Sequence, residues 1–567
     1  MKLRSIILLL IFICCDTHIL LAQSDAVPVT INVDMQARSD TPLTPIWRFF
    51  GYDEANYTYM KDGQKLLSEL ASLSRVPVFV RTHNLLTSGD AKPDLKWSST
   101  NAYTEDANGN AVYNWKIVDS IFDTYLRKGM KPLAEVGFMP EALSAVPEAD
   151  GYQTTTDGRK IYHYTGWNSP PKDYAKFAEL VYAWVIHCVA RYGAKEVESW
   201  YWEIWNEPDI SYWRGTTTEY LKLYDYSADA IKRALPSAKV GGPETTNPGS
   251  PKAALFLRTF LDHISTGKSF ATGKAGIPLD FITFHAKGNP TLIDQTVWMD
   301  MGAQLRNISK GFEIIASYPS LKHLPVIIGE SDPEGCAACS EDNFPQNAYR
   351  NGTMYAAYTA ASFARVYDLA NHFHTNLLGA VTWGFEFEDQ PWFRGFRDLA
   401  TNGIDKPVLN VFRMFGMMQG DRVAVTSNAP YNYQTIRDSS VRGHYPDVSA
   451  LATADRHSVY ILVWNYHDKN DTNVNATPVK LTITNIKGSS TTMAHYRIDQ
   501  HHSNSYTVWK QMGSPQHPDA VQYRLLEQAG ALQKLQPDQT LQIKNDQAAI
   551  SFALPRQGIS LIKLTVR

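Results

Sequence analysis

The stretch Glu198-Ser-Trp-Tyr-Trp-Glu-Ile-Trp-Asn-Glu-Pro-Asp209 decides how this chain reads. Aromatic and β-branched residues from Trp200 to Trp205 suit a strand packed on both faces, and Pro208, with no N–H for a ladder, stops it. The strand therefore delivers Asn206 and Glu207 at its carboxyl end, where α/β barrels hold their chemistry. Trp200, Trp202, Trp205 and Trp213 are expected to crowd around Glu207. Apolar rings desolvate a carboxyl group and raise its pKa, as a general acid working near neutral pH requires. A capping or ion-paired glutamate is the plain alternative, and a second strand ending in Glu later in the chain weighs against it.

Outward from this strand, short apolar runs recur over residues 45–420. They are Trp47–Tyr52, Val76–His83, Pro132–Phe138, Ser199–Glu207, Lys239–Glu244, Asp280–Lys287, Pro325–Glu330 and Gly379–Phe387. Amphipathic stretches such as Asp62–Ser74, Trp115–Lys128, Lys172–Tyr192, Thr217–Leu235 and Asn347–His372 lie between them with helical spacing. Strand alternating with helix means parallel pairing, and eight such units favour a closed (β/α)8 TIM barrel. A doubly wound open sheet is the competing fold, but it usually carries an early Gly-rich phosphate turn, which this chain lacks. Over residues 421–567 the texture changes to short strands without intervening helices, Val459–Asn465, Val479–Thr484, Ala494–Ile498, Leu541–Ile543 and Ile559–Val566. This predicts an antiparallel β-sandwich. A strand at Val27–Val33, within residues 24–44, is expected to join that sandwich before the barrel begins.

The 567 residues carry a net charge of −3, which offers no basic field for nucleic acid or an anionic membrane. Residues 1–23 open with Lys2 and Arg4, run through an apolar stretch from Ile6 to Ile13 and close on small and polar residues near Gln23. That pattern predicts a cleavable secretory signal peptide and a secreted or periplasmic protein without a membrane span. Cys14 and Cys15 would leave with it. Cys336-Ala-Ala-Cys339 would then be either a small disulfide or two free thiols, since no second Cys or His pair stands at zinc-like spacing, and Cys188 reads as core. No metal or cofactor is required.

Most of the barrel strands end in polar groups: Asp53 and Glu54, His83 and Asn84, Asn206 and Glu207, Glu244, His285 and Lys287, Glu330 and Asp332, then Glu386, Glu388 and Asp389. The ends of parallel strands converge on one barrel mouth. Two carboxyl groups in one dry pocket point to glycosidic bond hydrolysis, in which one protonates the leaving oxygen while the other attacks the anomeric carbon or activates water. Glu330 is the natural partner of Glu207, because it follows the buried run Pro325-Val-Ile-Ile-Gly, where Gly329 permits close backbone approach. A separation of about 5 Å would make the reaction retaining, with Glu330 as nucleophile and Glu207 as acid, then base. Trp383, Phe385 and Trp392 are candidates for a platform under a sugar ring. His163, His187, His323, His372 and His374 receive no role.

The sequence resembles glycoside hydrolase family 39, which holds β-xylosidases and α-L-iduronidases. The likeness rests on Asn206-Glu207-Pro208, Val80-Arg-Thr-His-Asn-Leu-Leu86, Asp106–Asn114, Gly129–Leu143, Val240-Gly-Gly-Pro243 and Gly403–Phe412. It implies that Glu207 is the acid/base, that Glu330 is the nucleophile, that Asn206 and His83 contact the bound sugar, and that the β-sandwich is an accessory to the barrel. Phe284-His-Ala-Lys-Gly288 and Glu330-Ser-Asp-Pro333 depart from the xylosidase pattern and look like the iduronidase branch, in which the corresponding Lys binds a uronic carboxylate. Lys287 beside His285 would then hold an anion or sugar hydroxyls, with Arg397 completing a clamp. Alternatively Lys287 pairs with Glu386, Glu388 or Asp389. The expected activity is exo-cleavage of terminal β-xylosyl or related pyranosyl residues, with a uronide or arabinose-type sugar as the rival substrate. Endo-action and a non-catalytic carbohydrate-binding barrel stand behind these, and the oligomeric state stays open, a homo-oligomer included.

Overall fold

The computed structural model describes residues 28–92, 98–147, 152–156, 159–163, 165–387 and 389–566. The expected signal segment, with Cys14 and Cys15, and Glu388 lie outside them. Eight strands close a parallel barrel: β1 Phe49–Tyr52, β2 Phe79–Thr82, β3 Lys131–Val136, β4 Tyr201–Ile204, β5 Lys239–Thr245, β6 Phe281–Lys287, β7 Val326–Asp332 and β8 Leu377–Trp383. Each matches a run read from the sequence. The helices Lys61–Ala71, Lys116–Arg127, Tyr174–Tyr192, Thr217–Ala234, Pro251–Thr266, Met301–Ala316, Thr353–Phe373 and Pro407–Met417 surround it.

Period-two alternation sorts each strand between the barrel interior and the helices. On β4, Tyr201 and Glu203 point inward, while Trp202 packs outward on Trp184 and Trp200, just before the strand, on Phe122. The inward residues form layers. The lowest is apolar and includes Phe49, Phe79, Leu133, Tyr201, Phe281, Ile327 and Val381. Above it lie Arg81, Glu135 and Glu203, all buried, with the ring of Trp383 beside them. Gly51 is a glycine because a Cβ there would stand 2.3 Å from that ring.

The second unit is one nine-stranded sheet in the order Gln533–Gln542, Ser490–Ile498, Gly558–Val566, Ser458–Tyr466, Asp447–Ala454, Asp421–Ser427, Val29–Pro42, Thr477–Thr484 and Gln547–Leu554. It curls so that Ile31, Val33, Leu481 and Ile483 share a core with Ile461, Val463, Ile562 and Leu564. The early strand enters between segments distant in sequence. It pairs antiparallel with Asp421–Ser427 and parallel with Thr477–Thr484. The other face of the sheet, with Leu462, Trp464 and Tyr466, packs on the barrel, where Arg365 donates to Asp447 at 2.8 Å. Helix Thr353–Phe373 is therefore covered almost all round, which explains its alanine-rich sequence. This region is not helix-free as expected: Tyr433–Ser439, Ser505–Gln511 and Ala520–Gly530 are helical. The last two pack Trp509 and Leu526 on Trp392 and Phe393 in the loop after β8.

Candidate active site

At the mouth of the barrel β4 and β5 abandon regular strand geometry. Trp205, Glu207 and Glu244 all have positive φ (72°, 44° and 53°), a conformation that costs a bulky side chain energy unless its surroundings enforce it. The Glu207 N–H donates to the Glu244 carbonyl at 2.9 Å, and Asp209 accepts from the Thr246 N–H at 2.8 Å, so the two strand ends are tied together. The kink turns Glu207 toward the axis.

Glu207 and Glu330 then share one pocket. One oxygen of each carboxylate and one ring nitrogen of His285 lie within 4.8 Å of one another. His285 Nδ1 donates to Glu207 Oε1 at 2.9 Å and lies 3.8 Å from Glu330 Oε1. The Lys287 ammonium donates to Glu330 and stands 3.9 Å from Glu207 Oε1. Arg81 Nη1 is 3.5 Å and His83 Nε2 3.7 Å from Glu330 Oε1. The spacing of the two carboxylates and the imidazole would also suit a divalent cation, but Lys287 and Arg81 already supply the positive charge there.

This electrostatic setting corrects the expectation for Glu207. Burial pushes its carboxyl up, but Lys287 and the His285 hydrogen bond outweigh that and hold it below the ordinary range. The tryptophans do not crowd it: Trp200 and Trp202 face the helices, and Trp205 packs on Phe138 and Trp213. For Glu330, burial is likewise overcome, by Lys287, His285 and Arg81, and the carboxyl is held far below its usual value. His285 loses some basicity to burial yet is raised to about 9 by Glu330, Glu244 and Glu207.

His83 Nδ1 pairs with Glu135 at 2.6 Å, and its ring lies 4.3 Å from that of Trp383. Asn206 Oδ1 accepts from Arg81 Nη2 at 3.0 Å, which leaves its amide nitrogen as the donor for a ligand. Trp383 is only 2% exposed, with its ring centroid 5.0 Å from the Arg81 guanidinium. Of the other proposed platform rings, Phe385 is stacked in the core on Tyr52, and Trp392 belongs to the cluster with Trp509. Arg397 does not complete a clamp with Lys287. It is fully buried, donates to the Trp383 carbonyl at 2.7 Å and to Glu334 Oε1 at 2.6 Å, and lies 3.6 Å from Asp332. Nor does Lys287 pair with Glu386, which accepts from the Gly403 N–H, or with Asp389, which is exposed on a turn. Cys336 and Cys339 form a disulfide in the loop after β7, beside Glu334.

Sequence reading passed over the supporting layer. Arg81 pairs with Glu135 at 2.9 Å and also with Glu203, and it lies 3.8 Å from Glu244. Tyr212 adds a half-buried ring 6.4 Å from His83 and 5.8 Å from Phe138. The signal was present: charged residues at alternate positions of strands otherwise apolar cannot be buried unpaired. Because Arg81 faces all three of these acids, Arg81→Met should destabilise the fold by about 3–5 kcal/mol, as expected when one partner of a buried ion cluster is removed. Chemical unfolding followed by tryptophan fluorescence checks this, and an unchanged midpoint would deny the layer its structural role.

A closed parallel barrel with two carboxylates facing each other across its mouth is an arrangement that suits a glycoside hydrolase. The model of Glycosyl hydrolases family 39 matches residues 29–540, and the chain belongs to that family, a retaining one. Among curated relatives, the β-xylosidase of Caldicellulosiruptor saccharolyticus is 28% identical over 477 residues, 81% of this chain and 84% of the relative. The α-L-iduronidase of Mus musculus is 24% identical over 538 residues, 88% and 75% of the two chains. Among solved structures, a monomeric β-xylosidase from Caulobacter crescentus CB15 superposes with a TM-score of 0.72 at 22% identity, covering 94% of this chain and 99% of that one. A bacterial orthologue of human α-L-iduronidase gives 0.73 at 19%, covering 95% and 84%. At these identities both structures speak to the fold alone. Among the described residues no helix is long and apolar enough to cross a membrane.

Proposed function

We propose that this enzyme is a secreted, exo-acting glycosidase that removes terminal β-D-xylosyl or related pyranosyl residues by double displacement. The observation that carries the double displacement is that one oxygen of Glu207 and one of Glu330 lie within 4.8 Å of each other, in keeping with the roughly 5–5.5 Å between the carboxyl groups of retaining enzymes. In the first step a Glu330 oxygen bonds to the anomeric carbon while the glycosidic C–O bond breaks. The electron pair goes to the leaving oxygen, which takes a proton delivered through Glu207. In the second step water attacks the same carbon, gives its proton to Glu207 and releases Glu330. Asn206 and His83 are proposed to hold the sugar, whereas both ring nitrogens of His285 are taken by Glu207 and Glu244. Secretion is supported by the character of residues 1–23 and by the Cys336–Cys339 disulfide.

The sugar assignment draws on the β-xylosidase relatives and on the fate of Lys287. Its charge is spent on Glu330 and Glu207, and Arg397 is spent on Glu334, so a uronic carboxylate would have to displace existing pairs. The test is a panel of aryl glycosides, with NMR of the first-formed anomer and product sizes on a polymer. Cleavage of aryl β-xyloside with retention, ahead of the matching uronide, is expected. An inverted first product would sink the mechanism, and preference for the uronide would overturn the sugar assignment.

Lys287→Ala gives a second expectation. Without the ammonium, burial raises the Glu330 pKa, and the nucleophile must be ionised to attack. The acidic limb of the kcat/KM profile on the xyloside should therefore move to higher pH, by about one to three units. A limb that stays in place would mean that the ion pair does not set the ionisation of Glu330.

A further inference from the structure

We propose that Glu244 is a positioning residue for general-acid catalysis, which holds the His285 ring where Nδ1–H donates to Glu207. This rests on the assignment of Glu207 as acid/base and adds a residue one link behind it. Glu244 reaches the acid/base by two routes. Its carbonyl accepts the Glu207 N–H at 2.9 Å, and its Oε2 lies 2.7 Å from His285 Nε2, whose opposite nitrogen bonds Glu207 at 2.9 Å. The ends of the neighbouring strands β4, β5 and β6 thus bring the imidazole between two carboxylates, hydrogen-bonded to Glu207 and in ion-pair contact with Glu244.

The neighbouring strand β7 is shaped for the same carboxylate. A Cβ on Gly329 would stand 1.9 Å from Glu244 Oε1, so the residue before Glu330 is a glycine because Glu244 occupies that space. Glu244 meets Arg81 at 3.8 Å, and Glu203 and Tyr220 are its other charged or titratable neighbours. Burial drives Glu203, which also faces the Glu244 charge, well above the ordinary carboxylate range, so it keeps its proton beside Glu244. Glu244 itself is desolvated but pulled down to about 2 by Arg81 and His285, and so remains the anion of the pair.

The consequence is a stored proton. His285 faces Glu207, Glu244 and Glu330, and the cations nearest that cluster are Lys287 and Arg81. At rest the proton sits on the imidazole and Glu207 is ionised. Shifting it along the hydrogen bond leaves neutral His285 and a Glu207 carboxylic acid, which then protonates the leaving oxygen. The water of the second step returns a proton, so the cycle balances. The acid function therefore persists until the imidazolium titrates, at about 9. Lys287 is held above its ordinary value and loses its proton only at higher pH.

Two measurements on the whole enzyme test this. The first is 15N NMR of the histidines in wild type and Glu244→Gln, with His285 assigned from the spectrum of His285→Gln. His285 should titrate near 9 in wild type and fall by about one to three units in Glu244→Gln. This needs no substrate, so it stands or falls separately from the glycosidase reading. The second is the kcat/KM profile on a poor leaving group, whose basic limb should move to lower pH by the same amount in Glu244→Gln. A wild-type His285 that titrates near its ordinary value, or a basic limb unmoved by Glu244→Gln, would overturn the proposal. Should the variant fail to fold, the wild-type titration alone still decides.

Discussion

Glu330→Gln should abolish turnover, lowering kcat/KM on every glycoside by about 10^5-fold, the scale seen when a covalent nucleophile is removed. The amide keeps the shape of the side chain but cannot form the glycosyl ester, so good leaving groups should bring no recovery. A slow 2-fluoro glycoside should label wild type at Glu330, read by peptide mass spectrometry, and should leave the variant unlabelled. The substitution also strips the counter-ion from Lys287, His285 and Arg81. Because the folded-state pKa of Glu330 is depressed, its contribution to stability is complete above the unfolded value near 4.5 and is lost progressively as pH falls from there through the folded value. The variant should therefore melt earlier than wild type at neutral pH, with the gap closing in strong acid. Turnover by Glu330→Gln within about 100-fold of wild type would place the nucleophile elsewhere.

Why Glu330 and Glu207 were legible in the sequence while their supports were not is a matter of which forces act locally. Strand ends are marked by local chemistry: Pro208 and Gly329 punctuate apolar runs, and alternation with helices fixes the parallel barrel, so the mouth residues follow. The layer beneath is set by distant partners. Glu203 sits in Trp-Tyr-Trp-Glu-Ile-Trp looking like any polar interruption, and only the closed barrel brings Arg81 to it. The tryptophans misled for the opposite reason. Their bulk implied a dry pocket, whereas period two sends Trp200 and Trp202 to the helices and leaves Lys287 and His285 to govern Glu207. Arg397 shows the same limit, since nothing near Gly395-Phe-Arg-Asp398 announces that Glu334 will take the guanidinium. In the sheet, residues 505–530 carry little apolar periodicity because their helices bury only a few anchors such as Trp509 and Leu526.

Glu207→Gln should separate substrates by the basicity of their leaving groups. Loss of the acid costs about 10^2 to 10^4-fold when the departing oxygen needs a proton, because that is the range general acid catalysis supplies. A dinitrophenolate leaves without one, so the glycosyl ester on Glu330 should still form quickly. The second step then lacks its base. The ester should accumulate, giving a burst of dinitrophenol followed by slow release. Azide, a nucleophile that needs no deprotonation, should raise the steady-state rate of Glu207→Ala, where space is freed, and yield a glycosyl azide of unchanged anomeric configuration. His285 makes the pattern sharper: with Glu207 gone its proton has no path to the leaving oxygen, because Nδ1 is aimed at the vacated carboxylate position. Equal losses on phenyl and dinitrophenyl glycosides, with no burst and no azide product, would show that Glu207 is not the group that carries the proton.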